Sequence, residues 1–169
     1  MNYPAVSDVE PSWSHDGKWI YFSSDRSGDS QVWRVAVEGG PVAQLTHHGG
    51  FSPLESADAR FVFYTKIDKG IWRIPLSGGE EEQVISDSVD GFASAYAPVR
   101  SGIYFIRKPG QKSRRLLAYF SFATGQSRDI TEIHRPIGYG LAVSPDERTI
   151  LYAQNDQLTS DLMLVENFH

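Results

Sequence analysis

The sequence predicts an all-β fold, a β-propeller of four-stranded antiparallel blades with about four blades in this chain. One strand-turn-strand segment recurs at offsets of 42, 41 and 47 residues. Turn residues interrupt the chain about every 8 to 12 residues, and no window of about a dozen residues carries apolar side chains at helical spacing. Four strands per copy and a period near 43 are typical of propeller blades.

The recurring segment contains the first turn and the second strand of each copy. Positions two residues apart hold β-branched or aromatic residues, which indicates a strand with one buried face. In the first copy these positions are Ile20 and Phe22. The four copies are "SHDGKWIYFS" (14–23), "SADARFVFYT" (56–65), "APVRSGIYFI" (97–106) and "SPDERTILYA" (144–153).

Two further strands follow in each copy. The third strand and its glycine turn align between "VWRVAVEGG" (32–40) and "IWRIPLSGG" (71–79). Trp33 and Trp72 recur at the repeat period, which favours packing between blades. Short fourth strands are predicted at 42–46, 82–86 and 127–131.

We therefore predict one domain over 1–169, with blades at approximately 8–47, 48–87, 88–132 and 133–169. The last copy ends after its third strand. A strand at 3–7 is expected to complete that blade and remove its exposed edge. The strand comes either from the same chain or from a second chain, and the latter would give a homodimer through blade sharing.

Composition excludes several kinds of partner. The formal charge is -5, from 16 basic and 21 acidic residues, and nucleic-acid affinity needs clustered cations. No apolar run approaches the roughly 20 residues of a membrane span. The chain has no cysteine, so thiolate metal sites are excluded. We expect no nucleic-acid partner, no membrane insertion and no cofactor.

The aspartates of the first turn in each copy are predicted to form turns rather than to catalyse. An aspartate carboxylate accepts hydrogen bonds from backbone N–H groups of its own turn, and glycine readily adopts positive φ. Asp16 precedes Gly17, whereas Asp58 precedes Ala59 and Asp146 precedes Glu147. The last two turns are therefore either strained or of a different type.

The stretch "PSWSHDGKWIYFSSDRSGDSQVWRV", followed by "GGPVAQLT", resembles the repeat of TolB proteins and of the propeller domains of dipeptidyl-peptidase-type serine peptidases. His15 stands where that repeat has proline. The resemblance covers nearly the whole chain and implies the propeller fold. Peptidase relatives carry a separate hydrolase domain with a G-x-S-x-G motif, which is absent here. We therefore do not expect an enzyme.

The loops that join one copy to the next are the main candidate site. They are "HHGGFS" (47–52), "DSVDGFAS" (87–94) and "EIHRPIGYG" (132–140), and propeller geometry is expected to place them on one face. Their imidazole, carboxylate and guanidinium groups suit a ligand or peptide surface. A metal site and plain solvated loops are the alternatives, although ligand spacing typical of metal sites is absent. The candidate binding residues are His47, His48, Asp87, Asp90, His134 and Arg135.

Glu55 is a further candidate binding residue. Trp13, Tyr96 and Val143 occupy its position in the other copies, so a carboxylate replaces a mostly apolar residue on a strand near the channel. A buried carboxylate must be paired or shifted in pKa. The alternative to a functional site is a salt bridge to Arg60 or to a neighbouring blade.

The function that follows is a non-enzymatic TolB-like propeller scaffold that binds a protein or peptide on its loop face. The alternative is a propeller fragment that serves as the gating or sensor domain of a larger peptidase or bacterial regulator. A periplasmic location is implied by the family resemblance alone.

Overall fold

The computed structural model describes residues 6–87, 89, 95–108, 115–156 and 159–166. Within these ranges the chain forms β-strands joined by turns and loops, and it forms no helix. Accordingly, no described segment is a helix of the length and hydropathy needed to span a membrane.

The strands form four antiparallel sheets in chain order. Sheet 1 contains β1 (Asp8–Trp13), β2 (Trp19–Ser24), β3 (Gln31–Ala36) and β4 (Ala43–Gln44). Sheet 2 contains β5 (Phe51–Glu55), β6 (Phe61–Thr65), β7 (Ile71–Pro75) and β8 (Glu82–Ile85). Sheet 3 contains β9 (Tyr96–Pro98), β10 (Gly102–Arg107), β11 (Arg115–Ser121) and β12 (Gln126–Ile133). Sheet 4 contains β13 (Ile137–Val143), β14 (Thr149–Asp156) and β15 (Thr159–Glu166).

The fourth strand of sheet 1 is shorter than the predicted 42–46. The backbone N–H groups of Leu45 and Thr46 both point to the Val32 carbonyl oxygen, at 2.8 and 3.4 Å. Two donors that share one acceptor cannot continue a ladder. The Thr46 hydroxyl oxygen instead accepts the Val32 N–H at 2.9 Å, so the strand ends at Gln44.

The described part of sheet 4 has three strands, as the sequence predicts. Residues 3–5 of the expected closing strand lie outside the described residues. Val6 and Ser7 are not in a strand, and the Ser7 N–H donates to Asp25 Oδ1 at 2.8 Å. Closure by residues 3–7 therefore remains a prediction, as do the single domain and the blade bounds.

The chain divides into two compact units: Met1–Lys66 with Ile71–Val84, and Ile67–Gly70 with Ile85–His169. Unit 1 contains sheets 1 and 2, and unit 2 contains sheets 3 and 4. Each unit has its own apolar core between its two sheets. The core of unit 1 is Tyr21, Val32, Val62, Tyr64 and Ile74. The core of unit 2 includes Tyr104, Ile106, Leu117, Leu141, Ile150 and Tyr152.

A bulge interrupts the first strand of three sheets at the same position. Glu10, Ser52 and Gly140 each lie three residues before the strand end, and their φ angles are 55°, 51° and 98°. The strand pairing shifts register at each of these places. The equivalent residue of sheet 3 lies outside the described residues. The extra residue turns the side chains that follow it toward the opposite face.

The three aspartate turns have one common structure. The Ser14 hydroxyl donates to Asp16 Oδ1 at 2.7 Å, and this carboxylate oxygen also accepts the Lys18 N–H at 3.0 Å. Ser56 with Asp58 and Ser144 with Asp146 repeat the contact at 2.7 and 2.6 Å. The prediction that these aspartates form turns is therefore confirmed.

Of the two alternatives for the turns at Ala59 and Glu147, the structure shows the same turn type with a strained residue. Ala59 and Glu147 adopt φ angles of 54° and 58°, close to the 70° of Gly17. The two non-glycine residues thus occupy the same left-handed conformation, which is unfavourable for side chains with a Cβ.

Candidate functional site

The loop that joins sheet 1 to sheet 2 presents two exposed imidazoles on an ordered backbone. The N–H groups of His47 and His48 donate to Glu81 Oε1 at 2.8 and 3.3 Å. The Gly49 N–H donates to Gln31 Oε1 at 3.0 Å. Both histidine side chains remain in solvent. The loop therefore fixes its backbone to unit 1 while leaving the two rings accessible.

The carboxylate that receives this loop belongs to a buried ion pair. Lys66 Nζ lies 2.6 Å from Glu81 Oε2, and the two side chains are only 8% and 9% exposed. The ammonium group also lies 3.9 Å from the centre of the Trp72 ring, a favourable cation–π distance. One carboxylate thus links β8, the end of β6 and the loop with the two histidines.

The surroundings of Glu81 determine its own pKa, and its charge contributes to the pKa of Tyr64. Burial by itself would raise the pKa of Glu81, but the hydrogen bonds from Lys66 and from the His47 N–H hold it below its usual value. Burial, followed by the charge of Glu81, raises the pKa of Tyr64. Glu81 is therefore ionised and Tyr64 is neutral at pH 7.

Sequence reasoning did not identify Lys66 and Glu81. Lys66 follows the buried strand "FVFYT" at the position of Ser24 in the first copy, and Glu81 lies in the acidic run "EEE". The sequence signal for Lys66 is a single cation at the end of an apolar strand. Its partner, 15 residues away, had no distinguishing mark among three consecutive glutamates.

Glu55 is buried and is bound by sheet 1. Its Oε2 accepts the His15 N–H at 2.5 Å and lies 2.8 Å from His15 Nδ1. Its Oε1 accepts the Tyr21 hydroxyl at 3.0 Å. Arg60 instead pairs with Asp58 at 2.6 Å. The partners of Glu55 therefore lie on the neighbouring blade, and the expectation of a salt bridge to Arg60 is wrong.

The contact with Glu55 explains why His15 can replace proline in the repeat. Proline has no N–H and therefore needs no acceptor at this point. The third copy has Pro98 at the position of His15. The copy that follows it has Val143 at the position of Glu55, so no carboxylate stands opposite this proline. His15 has an N–H, and Glu55 accepts it. Two departures from the repeat thus form one interaction.

A second carboxylate connects the bulges of sheets 1 and 2. Glu10 Oε2 accepts the N–H and the hydroxyl of Ser52, both at 2.8 Å. The Ser12 hydroxyl donates to the Pro53 carbonyl oxygen at 2.6 Å. Together with Glu55, these contacts form a polar seam along β1 and β5, and all of its carboxylates have partners. The seam joins the two sheets of unit 1.

The candidate residues of unit 2 have separate partners. Asp87 lies 3.3 Å from Arg107, whose other terminal nitrogen pairs with Asp129. His134 Nδ1 lies 3.7 Å from Glu132 Oε1, and the His134 and Arg135 side chains are exposed. Asp90 lies outside the described residues. In the part of the chain that the structure describes, no three His, Asp or Glu side chains are placed to share a metal ion.

The two recurrent tryptophans have different surroundings. Trp72 packs against the core between sheets 1 and 2, as expected for packing between blades. Trp33 donates from its indole N–H to the Ser24 carbonyl oxygen at 3.2 Å, and the Arg26 guanidinium lies 5.2 Å from its ring centre. Arg26 also forms an ion pair with Asp8 at 2.8 Å.

Comparison with protein families matches residues 2–135 to the TolB beta propeller domain. The uncharacterized peptidase YuxL of Bacillus subtilis is 29% identical over 160 residues, which are 90% of this chain and 22% of YuxL.

Solved structures show the same propeller fold. TolB from Acinetobacter baumannii aligns with a TM-score of 0.78 and 19% identity over 93% of this chain and 40% of its own. A puromycin-hydrolyzing peptidase from Mycobacterium tuberculosis aligns with a TM-score of 0.72 and 14% identity over 95% of this chain and 27% of its own. The chain therefore spans less than half the length of each of these three proteins.

Proposed function

Because the chain belongs to the TolB beta propeller domain family, we propose that it is a non-enzymatic propeller scaffold that binds a protein or peptide at the loop of His47 and His48. The observation that carries the proposal is the exposure of both imidazoles on a backbone fixed by Glu81. A fixed loop loses little conformational entropy when a ligand binds. A neutral imidazole has one donor and one acceptor nitrogen, and because His47 Nδ1 lies 3.3 Å from Gln44 Nε2, His47 offers its Nε2 to a ligand.

The buried ion pair beneath the loop supports this proposal. Glu81 directs both oxygens inward, to the loop N–H groups and to Lys66. Its charge is compensated there and does not compete with the imidazoles for a ligand. The surface presented by the loop consists of the two rings and neighbouring backbone, which suits hydrogen bonding to an extended peptide.

A selection from a displayed peptide library tests the binding function. We expect selected peptides to bind the chain in calorimetry and to lose at least about fivefold in affinity with His48→Ala, because truncation of a residue that anchors an interface costs more than about 1 kcal/mol. Glu38→Ala is the matched control, since Glu38 is exposed in the β3–β4 turn of the same sheet. Failure to select any peptide, or equal affinities for the wild type and His48→Ala, would refute the site.

The second candidate function is the propeller domain of a larger peptidase. It is favoured by the similarity to YuxL and to the Mycobacterium tuberculosis peptidase, of which this chain matches 22% and 27%. Under either proposal the chain itself does not hydrolyse peptides. Labelling of the chain by a fluorophosphonate, which reacts with activated serines, would overturn that part of the proposal.

A further inference from the structure

Arg34 on β3 forms neither a hydrogen bond nor an ion pair with any residue that the structure describes. Its side chain is half-buried, and its Nε is buried without an acceptor. The guanidinium carbon lies 4.5 Å from the centre of the Trp19 ring, so the aromatic face orients the group. Buried donors normally have a partner, and the orphaned guanidinium therefore calls for an acceptor.

Sheet 2 contains the same arrangement with its acceptor in place. Arg73 is the equivalent of Arg34 in the aligned third strands, and Phe61 is the equivalent of Trp19. The Arg73 guanidinium carbon lies 4.4 Å from the centre of the Phe61 ring. Glu82 Oε2 accepts the Arg73 Nε–H at 2.8 Å and lies 2.7 Å from Nη2. A carboxylate on the fourth strand thus neutralises the stacked arginine.

Sheet 1 lacks this carboxylate. Ala43 has the position of Glu82 in the aligned fourth strands, and it lies directly opposite Arg34 in the β3–β4 pair. Directly opposite residues lie on the same face of a sheet, and Ala43 is exposed. The small side chain therefore leaves the space beside the guanidinium open to a carboxylate from solvent.

The carboxylates near this end of sheet 1 are bound to other donors. Tyr21 lies opposite the arginine on β2, and its hydroxyl donates to Glu55, which also accepts the His15 N–H. Asp16 accepts the Lys18 N–H at 3.0 Å. Neither carboxylate pairs with the guanidinium, although both lie in the same part of unit 1.

We propose that the Arg34 guanidinium, stacked on Trp19, binds an acidic side chain of a peptide or protein partner. The partner's carboxylate takes the position that Glu82 has in sheet 2. This site lies toward the end of sheet 1 where β2 begins and β3 ends, whereas the loop of His47 and His48 follows β4 at the opposite end. The proposal is therefore independent of peptide binding at the histidine loop.

An NMR titration with the peptide acetyl-Gly-Glu-Gly-amide tests the proposal. The Nε–H signal of Arg34, assigned by its loss in Arg34→Gln, and the indole N–H signal of Trp19 are expected to shift and to saturate. The neutral peptide acetyl-Gly-Gln-Gly-amide is expected to bind at least about tenfold more weakly, because hydrogen bonds between ionised partners are roughly twice as strong as neutral ones. No saturable shift throughout the millimolar range, or equal affinities for the two peptides, would overturn the proposal.

Exchanging residues between the equivalent positions makes the test specific. Ala43→Glu gives sheet 1 the carboxylate that sheet 2 has, so it is expected to pair with Arg34 and to raise the dissociation constant of the peptide at least about tenfold. Ala43 is exposed, so this variant is expected to fold. Glu82→Ala is expected to make the Arg73 signal respond to the peptide as well. Arg73→Gln, which removes an arginine that already has its carboxylate, is the control that retains the wild-type affinity.

These variants can also contradict the proposal. Wild-type affinity in Ala43→Glu would show that the peptide binds elsewhere. An Arg73 signal that does not respond in Glu82→Ala would show that the missing carboxylate does not create the site. Loss of the shifts in His48→Ala would place the binding at the histidine loop and overturn the proposal, so failure of one site is distinguishable from failure of the other.

Discussion

Replacement of Lys66 by methionine tests the role of the buried ion pair. Methionine keeps most of the side-chain volume but removes the ammonium group 2.6 Å from Glu81. Breaking a buried pair by removing one partner commonly costs about 3–5 kcal/mol, because the other charge stays buried without compensation. Glu81 keeps two backbone N–H donors, so we expect the lower end, about 3 kcal/mol, or roughly 6–12 °C in Tm for a chain of this size.

Urea denaturation followed by tryptophan fluorescence measures this loss in the relevant unit. All four tryptophans lie between residues 13 and 72 within unit 1, so the signal reports the unfolding of sheets 1 and 2. Lys18→Met is the control, since Lys18 is 75% exposed and 3.5 Å from Asp16, and it is expected to change stability by less than about 0.5 kcal/mol.

The double replacement Lys66→Met with Glu81→Gln separates charge from packing. It removes both charges and keeps an acceptor for the loop N–H groups, so it is expected to recover most of the loss. A Lys66→Met variant as stable as Lys18→Met would refute the reasoning. A double variant no more stable than Lys66→Met would show that the cation–π packing on Trp72, rather than the ion pair, supplies the stability.

Three other predictions concern the seam and the turns. His15→Pro removes both contacts of His15 with Glu55 and should cost about 2–4 kcal/mol of unit 1 stability in urea. His15→Pro with Glu55→Val should recover only part of this loss, because the buried carboxylate is gone but the Tyr21 hydroxyl loses its acceptor. The Ser56 hydrogen bond lowers the pKa of Asp58 to about 2, from an ordinary value of 3.8. Asp58→Ala should therefore destabilise the chain above about pH 4 and progressively less as the pH falls toward about 2. A stability difference between the wild type and Asp58→Ala that does not change with pH would contradict this. Ala59→Gly should increase the free energy of unfolding by about 0.5–1 kcal/mol and so raise Tm slightly, because residue 59 has a φ of 54°. A lower Tm would count against strain at this turn.

The repeated features of the fold could be predicted from the sequence, and long-range polar pairing only in part. Asp16 and Asp58 form turns because their partners lie within two residues, so local sequence carries the information. Glu55 was recognisable because it breaks an apolar column. The local signal for its partner His15, 40 residues earlier, is that His15 stands where the repeat has proline.

The ion pair of Lys66 with Glu81 could not be found in this way. The first copy has Ser24 at the position of Lys66, and Glu81 is one of three adjacent glutamates. Which of these carboxylates turns inward depends on where β8 begins relative to the end of β6. That relation is set by how β6, β7 and β8 pair within sheet 2 rather than by local preference.

The shared structure of the aspartate turns affects how safely a repetitive chain can fold. The Ser–Asp pair holds the turn even where glycine is replaced by Ala59 or Glu147. The copies can therefore differ in sequence without changing the turn. Near-identical neighbouring copies can exchange strands and misassemble during synthesis. Because the turn tolerates sequence differences, each copy can have specific contacts of its own, such as that of His15 with Glu55. Such contacts make incorrect strand pairing between copies less stable than the native pairing.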